Sequence, residues 1–316
     1  MLRTAIIRGP AIVQFDGSNL YSKDDITCTI DEESFQILTS VYGPVDERIK
    51  ERRAEITFTP VGEWETSAID VLWTPYATMA IGAGIFGTPD KPLVIWTRAG
   101  KKITFGAAAV TKMPDIIASA TKTLIGSVTF MCIGKEDTYW DDGSVSDGSF
   151  MKIEAAAFPD AVEIDPLLIV TSPFAAGWGI LGAPWDNIDT IDGWTITFNP
   201  SLSPFEADTP GIIDYTLASL DVSAKCKPVG VTEQDIITAM GIQGPGAHRG
   251  RSLSAIANGN DLVLNGEGVG LTVYRAAIKR APLMFGSVAN RAGEIEWVAT
   301  RQLTAGALNP LFSVST

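Results

Sequence analysis

The sequence contains little of what most catalytic and metal sites are built from. Its 316 residues include one histidine and three cysteines. The cysteines, Cys28, Cys132 and Cys226, have no metal-ligand spacing, and we expect buried free thiols. His248 has no serine or carboxylate placed beside it, so we expect a surface residue and not a catalytic base. Because the motifs of a serine nucleophile, a phosphate-binding loop and a zinc site are also missing, the sequence favours a protein that is not an enzyme and has no cofactor.

Basic residues and long apolar runs are also scarce. The chain has 24 Lys and Arg residues against 37 Asp and Glu, a formal net charge of −13. This balance argues against a protein that grips nucleic acid by neutralising phosphates. No run of eighteen apolar residues occurs, and no basic segment followed by an apolar core opens the chain. We therefore expect neither a membrane span nor a secretion signal, and a protein made and assembled in a cytoplasm.

The sequence does contain many short segments in which apolar and polar residues alternate. This period of two predicts β-strands, here rich in β-branched and aromatic residues. In the first half the predicted strands are Ile26 to Ile30, Ala54 to Pro60, Pro92 to Thr97, Lys102 to Val110 and Gly126 to Ile133. In the second half they are Trp194 to Phe198, Ile213 to Lys225, Asp261 to Asn265, Gly270 to Ile278 and Glu294 to Ala299. With 46 % hydrophobic residues in the chain, this pattern predicts two mainly β cores of the sandwich or barrel type.

Each half also contains one short segment with helical signals. Thr66 or Ser67 can cap a helix that ends before Pro75, and Thr232 can cap a helix that ends at Gly241. Both segments follow a Pro-Val-Gly: "FTPVGEW" at 58–64 and "CKPVGVT" at 226–232. We interpret Pro-Val-Gly as the breaker that ends a long strand and turns the chain toward the helix.

The two Pro-Val-Gly stretches belong to a longer internal match at an offset of 168 residues. The matched residues that mark the repeat are Pro60 with Pro228, Gly62 with Gly230, and Pro114 with Pro282. The same offset joins Gly43 to Gly211 and Asp46 to Asp214. Self-similarity at a long period indicates a duplicated structural unit.

The repeat divides the chain into four predicted parts. They are a first domain at 1–133, an acidic insertion and connector rich in Gly, Ser and Asp at 134–170, a second domain at 171–306 and a C-terminal tail at 307–316. We expect the insertion to be a surface excursion, with a calcium loop at Asp137, Asp141, Asp142 and Asp147 as the minor alternative. The tail is either a strap onto a neighbour or a frayed end.

The segment "YGPVDERIKERRAEITF" at 42–58 stands out because it is basic in an acidic chain. Its four basic residues are Arg48, Lys50, Arg52 and Arg53. A Gly-Pro turn before a strand predicts a long hairpin that projects from the body. The hairpin is either simply solvated or an arm that reaches an acidic neighbouring copy, and we favour the second.

The stretches "SKDDITCTIDEESFQILTSVYGPVDERIKERRAEITFTPVGEWE" and "KPLVIWTRAGKKITFGAAAVTKMPDIIASATKTLIGSVTF" resemble the tail tube proteins of phages with long, non-contractile tails. The resemblance covers roughly residues 17–134, and the second half is a fainter copy. It implies two tandem tube-like β-sandwich or barrel domains, each flanked by one short helix. In that family six such domains form a ring, and the rings stack through a long loop into a hollow tube that conducts DNA.

For this chain the resemblance implies that three copies complete one pseudo-sixfold ring of a virion tail. It implies self-assembly, contacts with the tape measure, tail tip and tail terminator proteins, and DNA that passes without specific binding. The inter-ring loop would contain Tyr42, Gly43, Pro44, Asp46, Arg48, Lys50, Arg52 and Arg53. The second-domain counterpart would contain Gly211, Asp214 and Tyr215, without the basic residues.

Two other functions compete with the tube. A duplicated tube-like domain also resembles the tail-tip hub or baseplate ring, which forms one ring and does not polymerise. From a different class, a carbohydrate-binding or hydrolytic β-sandwich could line a glycan groove with Trp140, Trp178 and Trp185.

Overall fold

A computed structural model describes the chain at residues 3–9, 11–61, 66–87, 91–119, 125–134, 150–159, 174–179, 185–207, 211–242, 260–266, 269–283, 293–301, 303–304, 307–308 and 310–315. The structure is mainly β, and all strand pairs in it are antiparallel. The mainly β fold class predicted from the alternation is confirmed.

The elements follow one another in chain order. The first-half strands are β1 (Arg3–Ile7), β2 (Ile12–Phe15), β3 (Ser18–Tyr21), β4 (Ile26–Thr39), β5 (Gly43–Phe58), β6 (Leu93–Thr97), β7 (Lys101–Phe105), β8 (Ala107–Lys112), β9 (Ile116–Ala118), β10 (Val128–Ile133) and β11 (Met151–Ala155). The second-half strands are β12 (Ala175–Trp178), β13 (Thr190–Ala207), β14 (Gly211–Pro228), β15 (Leu262–Gly266), β16 (Val269–Val273), β17 (Ala277–Arg280), β18 (Ile295–Val298), β19 (Leu303–Thr304), β20 (Ala307–Leu308) and β21 (Phe312–Ser315). The described helices are α1 (Thr66–Leu72), α2 (Thr74–Thr78) and α3 (Glu233–Met240).

The first half is a sandwich of two five-stranded sheets. Sheet I has the order β1-β4-β5-β10-β8 and sheet II the order β11-β7-β6-β2-β3. The sheets pack through aromatic rings: Phe15 of sheet II meets Phe130 of sheet I edge to face, with ring centroids 5.0 Å apart, and Phe58 stacks on the same Phe130. Alternate residues of each strand supply this buried core.

The second half is a sandwich of the same kind. Sheet III has the order β17-β18-β14-β13-β9 and sheet IV the order β12-β15-β16-β21. Phe198 of sheet III lies 4.7 Å from Phe312 of sheet IV, measured between ring centroids. A tryptophan cluster fills the rest of the space between the sheets, with Trp297 in ring contact with Trp178, Trp185 and Trp194.

The 168-residue offset in the sequence also relates elements of the structure. It places β4, β5, α1, β6, β7 and β8 onto β13, β14, α3, β15, β16 and β17, and one residue fewer places β10 onto β18. Strand order agrees too, because β4-β5-β10-β8 in sheet I corresponds to β13-β14-β18-β17 in sheet III.

The long hairpins β4–β5 and β13–β14 share their irregularities as well. In the first, the pairing register slips at Lys50 and at Val45, which are β-bulges in β5. In the second, it slips at Ala218 and Ile213 of β14, the residues 168 positions later. A β-bulge bends the strand and increases its twist, so both hairpins bend at the same two places.

The helices follow the long hairpins as predicted. Thr232 caps α3 through a reciprocal capping box with Asp235, and Gly241 ends it in the left-handed conformation, at φ 60°. The first half differs from the prediction of one helix because α1 is followed by α2 after a single residue, Trp73. Pro75 lies in the first turn of α2, where its missing N–H costs no hydrogen bond.

Two predicted strands are each split between the sheets of a sandwich. The segment Lys102 to Val110 breaks at Gly106, so that β7 lies in sheet II and β8 in sheet I. The segment Gly270 to Ile278 breaks at Tyr274 and Arg275, and Arg275 has a positive φ of 47°. The residues that face the core change from odd to even positions at each break, since Phe105 is followed by Ala108 and Val273 by Ala276.

Two parts predicted to lie outside the domains are strands of the sandwiches. Met151–Ala155, within the expected insertion, is β11 and pairs with β7 along its whole length. The C-terminal tail contains β21, which pairs with β16, and its buried Phe312 anchors it in the core of its own chain. The tail is therefore neither a strap onto a neighbour nor a frayed end at these residues. The predicted calcium cluster lies outside the described residues.

Strand β9 belongs to the first half of the chain but completes a sheet of the second. It pairs with the edge of β13, where Ala118, Ile117 and Ile116 face Trp194, Thr195 and Ile196. The approach is close: a Cβ on Gly193, whose φ is +78°, would lie 2.0 Å from the Ala118 carbonyl oxygen. In sheet I the corresponding edge of β4 is covered by β1, with Ile7 opposite Ile26. The two sandwiches are thus joined through a shared sheet.

The cysteines are buried free thiols, as predicted. Burial raises the pKa of the Cys28 thiol to about 11 and raises the pKa of Cys132 and Cys226 further. All three are therefore protonated and unreactive near neutral pH.

A fragment of residues 171–316 is expected to be poorly soluble on its own. Without β9, the edge of β13 at Trp194 to Ile196 is bare, and a bare apolar edge invites pairing with other chains. Size-exclusion chromatography should find aggregate for this fragment and discrete species for the full chain. Co-expression with residues 1–170 should restore solubility. A monomeric, folded fragment 171–316 would contradict the role given to β9.

Candidate assembly interface

The hairpin β4–β5 has an exposed apolar end. Leu38, Val41, Tyr42 and Val45 are all more than half exposed, and Tyr42 reaches 81 %. The turn is tight, with Gly43 at φ 70° and the Tyr42 N–H donating to Thr39 Oγ1 at 3.2 Å. Large apolar side chains grouped at a projecting tip indicate a contact surface. This end of the hairpin, residues 38–45, is called the tip below.

The basic segment of the hairpin differs from a free positive arm. Arg52 Nε lies 2.7 Å from Glu32 Oε1, and Arg53 Nη2 lies 2.8 Å from Asp31 Oδ2. Both pairs join β5 to β4 across the hairpin, and such partly exposed pairs contribute about 0–1 kcal/mol each. Arg48 and Lys50 lie farther along β5, Lys50 at the bulge. Arg52 and Arg53 thus pair within the hairpin, and the expectation that they reach a neighbouring ring stays a prediction.

Arg53 also lies at the junction between the two halves. Its Nη1 is 3.5 Å from the hydroxyl oxygen of Tyr215 in β14. Tyr215 is buried against the outer face of sheet I, in a cluster with Phe86, Ala107, Ala109, Met131 and Ile133. Hairpin β13–β14 thus packs on the first sandwich, and Tyr215 is an internal contact rather than part of an inter-ring loop.

A loop of the first half pairs with the edge of β14. The Gly82 N–H donates to the Leu217 carbonyl at 2.8 Å, the Leu217 N–H to Ala83 at 3.0 Å, and the Ile85 N–H to Tyr215 at 2.9 Å. These main-chain bonds add a short strand-like segment to the hairpin, and Leu217 is fully buried beneath it. This loop, residues 82–86, is called the docking loop below.

Asp214 receives the end of the docking loop. Its Oδ1 accepts hydrogen bonds from the Tyr215 N–H at 2.7 Å and the Phe86 N–H at 3.3 Å. Gly84 leaves room for it, since a Cβ there would lie 2.0 Å from Asp214 Oδ2. Asp46, the residue 168 positions earlier, makes the same local bond to the Glu47 N–H, at 2.8 Å. The sequence repeat marks Asp46 and Asp214 as equivalent residues, whereas no pattern in the sequence singles out Gly84 or Phe86.

Asp115 is a partly buried carboxylate at the same junction. It precedes β9 and accepts hydrogen bonds from Thr197 and from the Phe198 N–H, both in β13. Burial raises its pKa, and the nearby Lys112 and the two hydrogen bonds offset part of that rise. The junction between the halves therefore includes a charge that is costly to bury at neutral pH.

The residues that mark the repeat occupy structural positions. Pro60 and Pro228 are buried, and the residue after each makes the same bond: the Val61 N–H donates to Tyr21 and the Val229 N–H to Asp189, both at 2.7 Å. Gly230 has a φ of +78°. Pro114 accepts the indole N–H of Trp73, whereas its counterpart Pro282 is exposed. Gly62 lies outside the described residues, and Gly211 begins β14.

Two of the three residues proposed for a glycan groove are buried. Trp178 and Trp185 are 1 % and 3 % exposed, and Trp178 donates its indole N–H to the Ala276 carbonyl inside the second sandwich. Trp140 and His248 lie outside the described residues. In the described part of the chain, no helix is long and apolar enough to cross a membrane.

Replacing Asp115 with Asn should stabilise the chain slightly at neutral pH. A raised pKa in the folded state means that stability falls as pH rises through the range between the unfolded and the folded pKa. Asp115→Asn keeps the shape and removes that cost, so its thermal midpoint should exceed the wild-type value at pH 7 and converge with it near pH 4. A lower midpoint at pH 7 would mean that the charged hydrogen bonds to Thr197 and Phe198 outweigh burial.

Comparison with known proteins gives no family for the chain. No protein-family model matches the sequence, and no curated protein matches it. A function therefore has to be inferred from the residues and contacts of the chain itself.

Proposed function

We propose that the protein is a structural subunit of a phage tail tube, built from two copies of one tube-like domain. Three chains form a pseudo-hexameric ring, and the rings stack into a hollow conduit for DNA. The role is structural and not catalytic, and the protein belongs to the virion tail after assembly in the host cytoplasm. Its partners are further copies of itself and the other tail proteins.

The observation that carries this proposal is the junction between the two halves. The first sandwich presents β9, the docking loop and the outer face of sheet I, and the second accepts them along the hairpin β13–β14. These surfaces differ, so the contact is heterologous, and a heterologous contact that repeats generates a ring or a filament. The hairpin β4–β5, with the same bulges and the same Asp, offers the accepting surface once more.

The tip and the net charge support stacking and DNA passage. The tip carries Leu38, Val41, Tyr42 and Val45 away from the core, which suits a contact along the tube axis. The net charge of −13 opposes adhesion of DNA phosphates to the wall of a conduit. A carbohydrate-binding role has less support because Trp178 and Trp185 are buried.

Negative-stain electron microscopy of the purified full chain, with mass measurement of its smallest stable assembly, tests the proposal. The expected result is rings of three chains with six lobes, or hollow tubes made from them. Single rings that never extend would favour the tail-tip hub instead. A chain that stays monomeric at high concentration would contradict both the tail tube and the tail-tip hub.

Changing the tip should prevent stacking without preventing ring formation. In a Val41→Ser, Tyr42→Ser variant, the exposed apolar contact is removed at residues that contribute little to the core. Tubes should shorten to single rings or a few stacked rings in electron micrographs. Ile153→Ser, which changes another exposed apolar residue on β11, is the matched control and should leave tube length unchanged. Tubes of normal length in the tip variant would show that the tip does not take part in stacking.

A further inference from the structure

We propose that residues 46–49 of β5 form a docking surface for a second copy of this chain, and that the partner contributes its second half. This inference rests on the proposed self-assembly and names the surface that would carry it. In the chain itself, the corresponding residues of β14 bind the docking loop of the first half.

The two surfaces match in backbone shape and at two positions, Asp46 with Asp214 and Ile49 with Leu217, although Glu47 stands where Tyr215 packs on the first half. Asp46 and Asp214 each hold the next N–H of their own strand, at 2.8 and 2.7 Å. Ile49 corresponds to Leu217, the residue that exchanges two main-chain hydrogen bonds with the docking loop. The bulges at Val45 and Lys50 flank the segment as Ile213 and Ala218 flank its counterpart. The backbone of β5 is therefore shaped for the same kind of edge addition.

The surfaces differ in what covers them. Leu217 is 0 % exposed, whereas Ile49 is 49 % exposed. Strand β10 pairs with β5 only from Arg53 to Phe58, and in the described part of the chain no other strand continues along that edge toward Gly43. Burying the exposed part of the Ile49 side chain removes apolar surface from water, so a partner at this edge would stabilise an assembly.

The occupant is a second copy of the chain. Within one chain the first half covers the edge of β14, and the second half is a repeat of that first half, so the second half of another copy can cover the edge of β5. In the first half, the hairpin rests on the outer face of β8 and β10, at Ala109 and Met131. By the repeat, β17 and β18 place Ala277 and Val298 at those positions in the second half; Val298 is partly exposed, whereas Ala277 is already buried in its own chain. The exposed end of β17 carries Lys279 and Arg280, which complement Asp46 and Glu47, two of the three charged residues at 46–49.

Photo-crosslinking in the full chain tests the surface directly. A benzoylphenylalanine at position 49 should give intermolecular crosslinks whose peptides map to the second half of another copy. The same probe at position 153, also an exposed isoleucine position, should give no crosslink to that region. Crosslinks from position 49 to the hairpin β4–β5 of another copy would overturn the inference, since they would assign Ile49 to stacking.

A substitution gives an independent readout. Ile49→Asp should weaken ring formation about tenfold or more in dissociation constant, while circular dichroism and the thermal midpoint stay near the wild-type values. Ile153→Asp should leave assembly unchanged. If the wild-type chain assembles but Ile49→Asp assembles equally well, the docking surface is wrong and the proposed function stands. If the wild-type chain stays monomeric at high concentration, both are wrong.

Discussion

The arrangement of the whole chain depends on edge addition between its two halves. A long antiparallel hairpin has two open edges, and unpaired N–H and C=O groups along them are costly to bury and prone to aggregate. The hairpin β13–β14 resolves this with segments borrowed from the first half, β9 on one strand and the docking loop on the other. Tyr215 and Leu217 are buried where the docking loop and the outer face of sheet I lie against the hairpin.

Glycine makes this close contact possible. At Gly193 and Gly84 a single added carbon would lie 2.0 Å from an oxygen atom, of the Ala118 carbonyl and of the Asp214 carboxylate respectively. Neither approach can be relieved by moving a flexible surface side chain, since the first oxygen is main chain and the second is held by Tyr215. The fit of the halves is therefore fixed by backbone shape more than by side-chain chemistry.

The sequence predicts those features that depend on local periodicity and local capping. Trp194 to Phe198 alternate between core and surface, and Thr232 caps its helix with Asp235 three residues later. The breaks at Gly106 and Tyr274 escape prediction because the residues on both sides of each break are mostly apolar, and the change of core-facing positions shows only in the structure.

The candidate interface was harder to predict than the fold. The 168-residue offset marked Asp46 and Asp214 as equivalent, but not that one holds a loop of the other half. The pairs that Arg52 and Arg53 form were not predicted, because a run of basic residues does not show that Asp31 and Glu32 lie opposite them. Cross-strand register is set by bulges and turns that a single sequence does not display.

The continuity of the chain through β9 has a kinetic consequence. Because both halves belong to one polypeptide, the junction between them forms at an effective concentration of about millimolar, independent of how much protein is present. In a three-chain ring, every second junction would then exist before any two chains meet. Ring closure in such an assembly would be a third-order rather than a sixth-order event in chain concentration, which would favour complete rings at low expression and leave fewer open intermediates with bare edges.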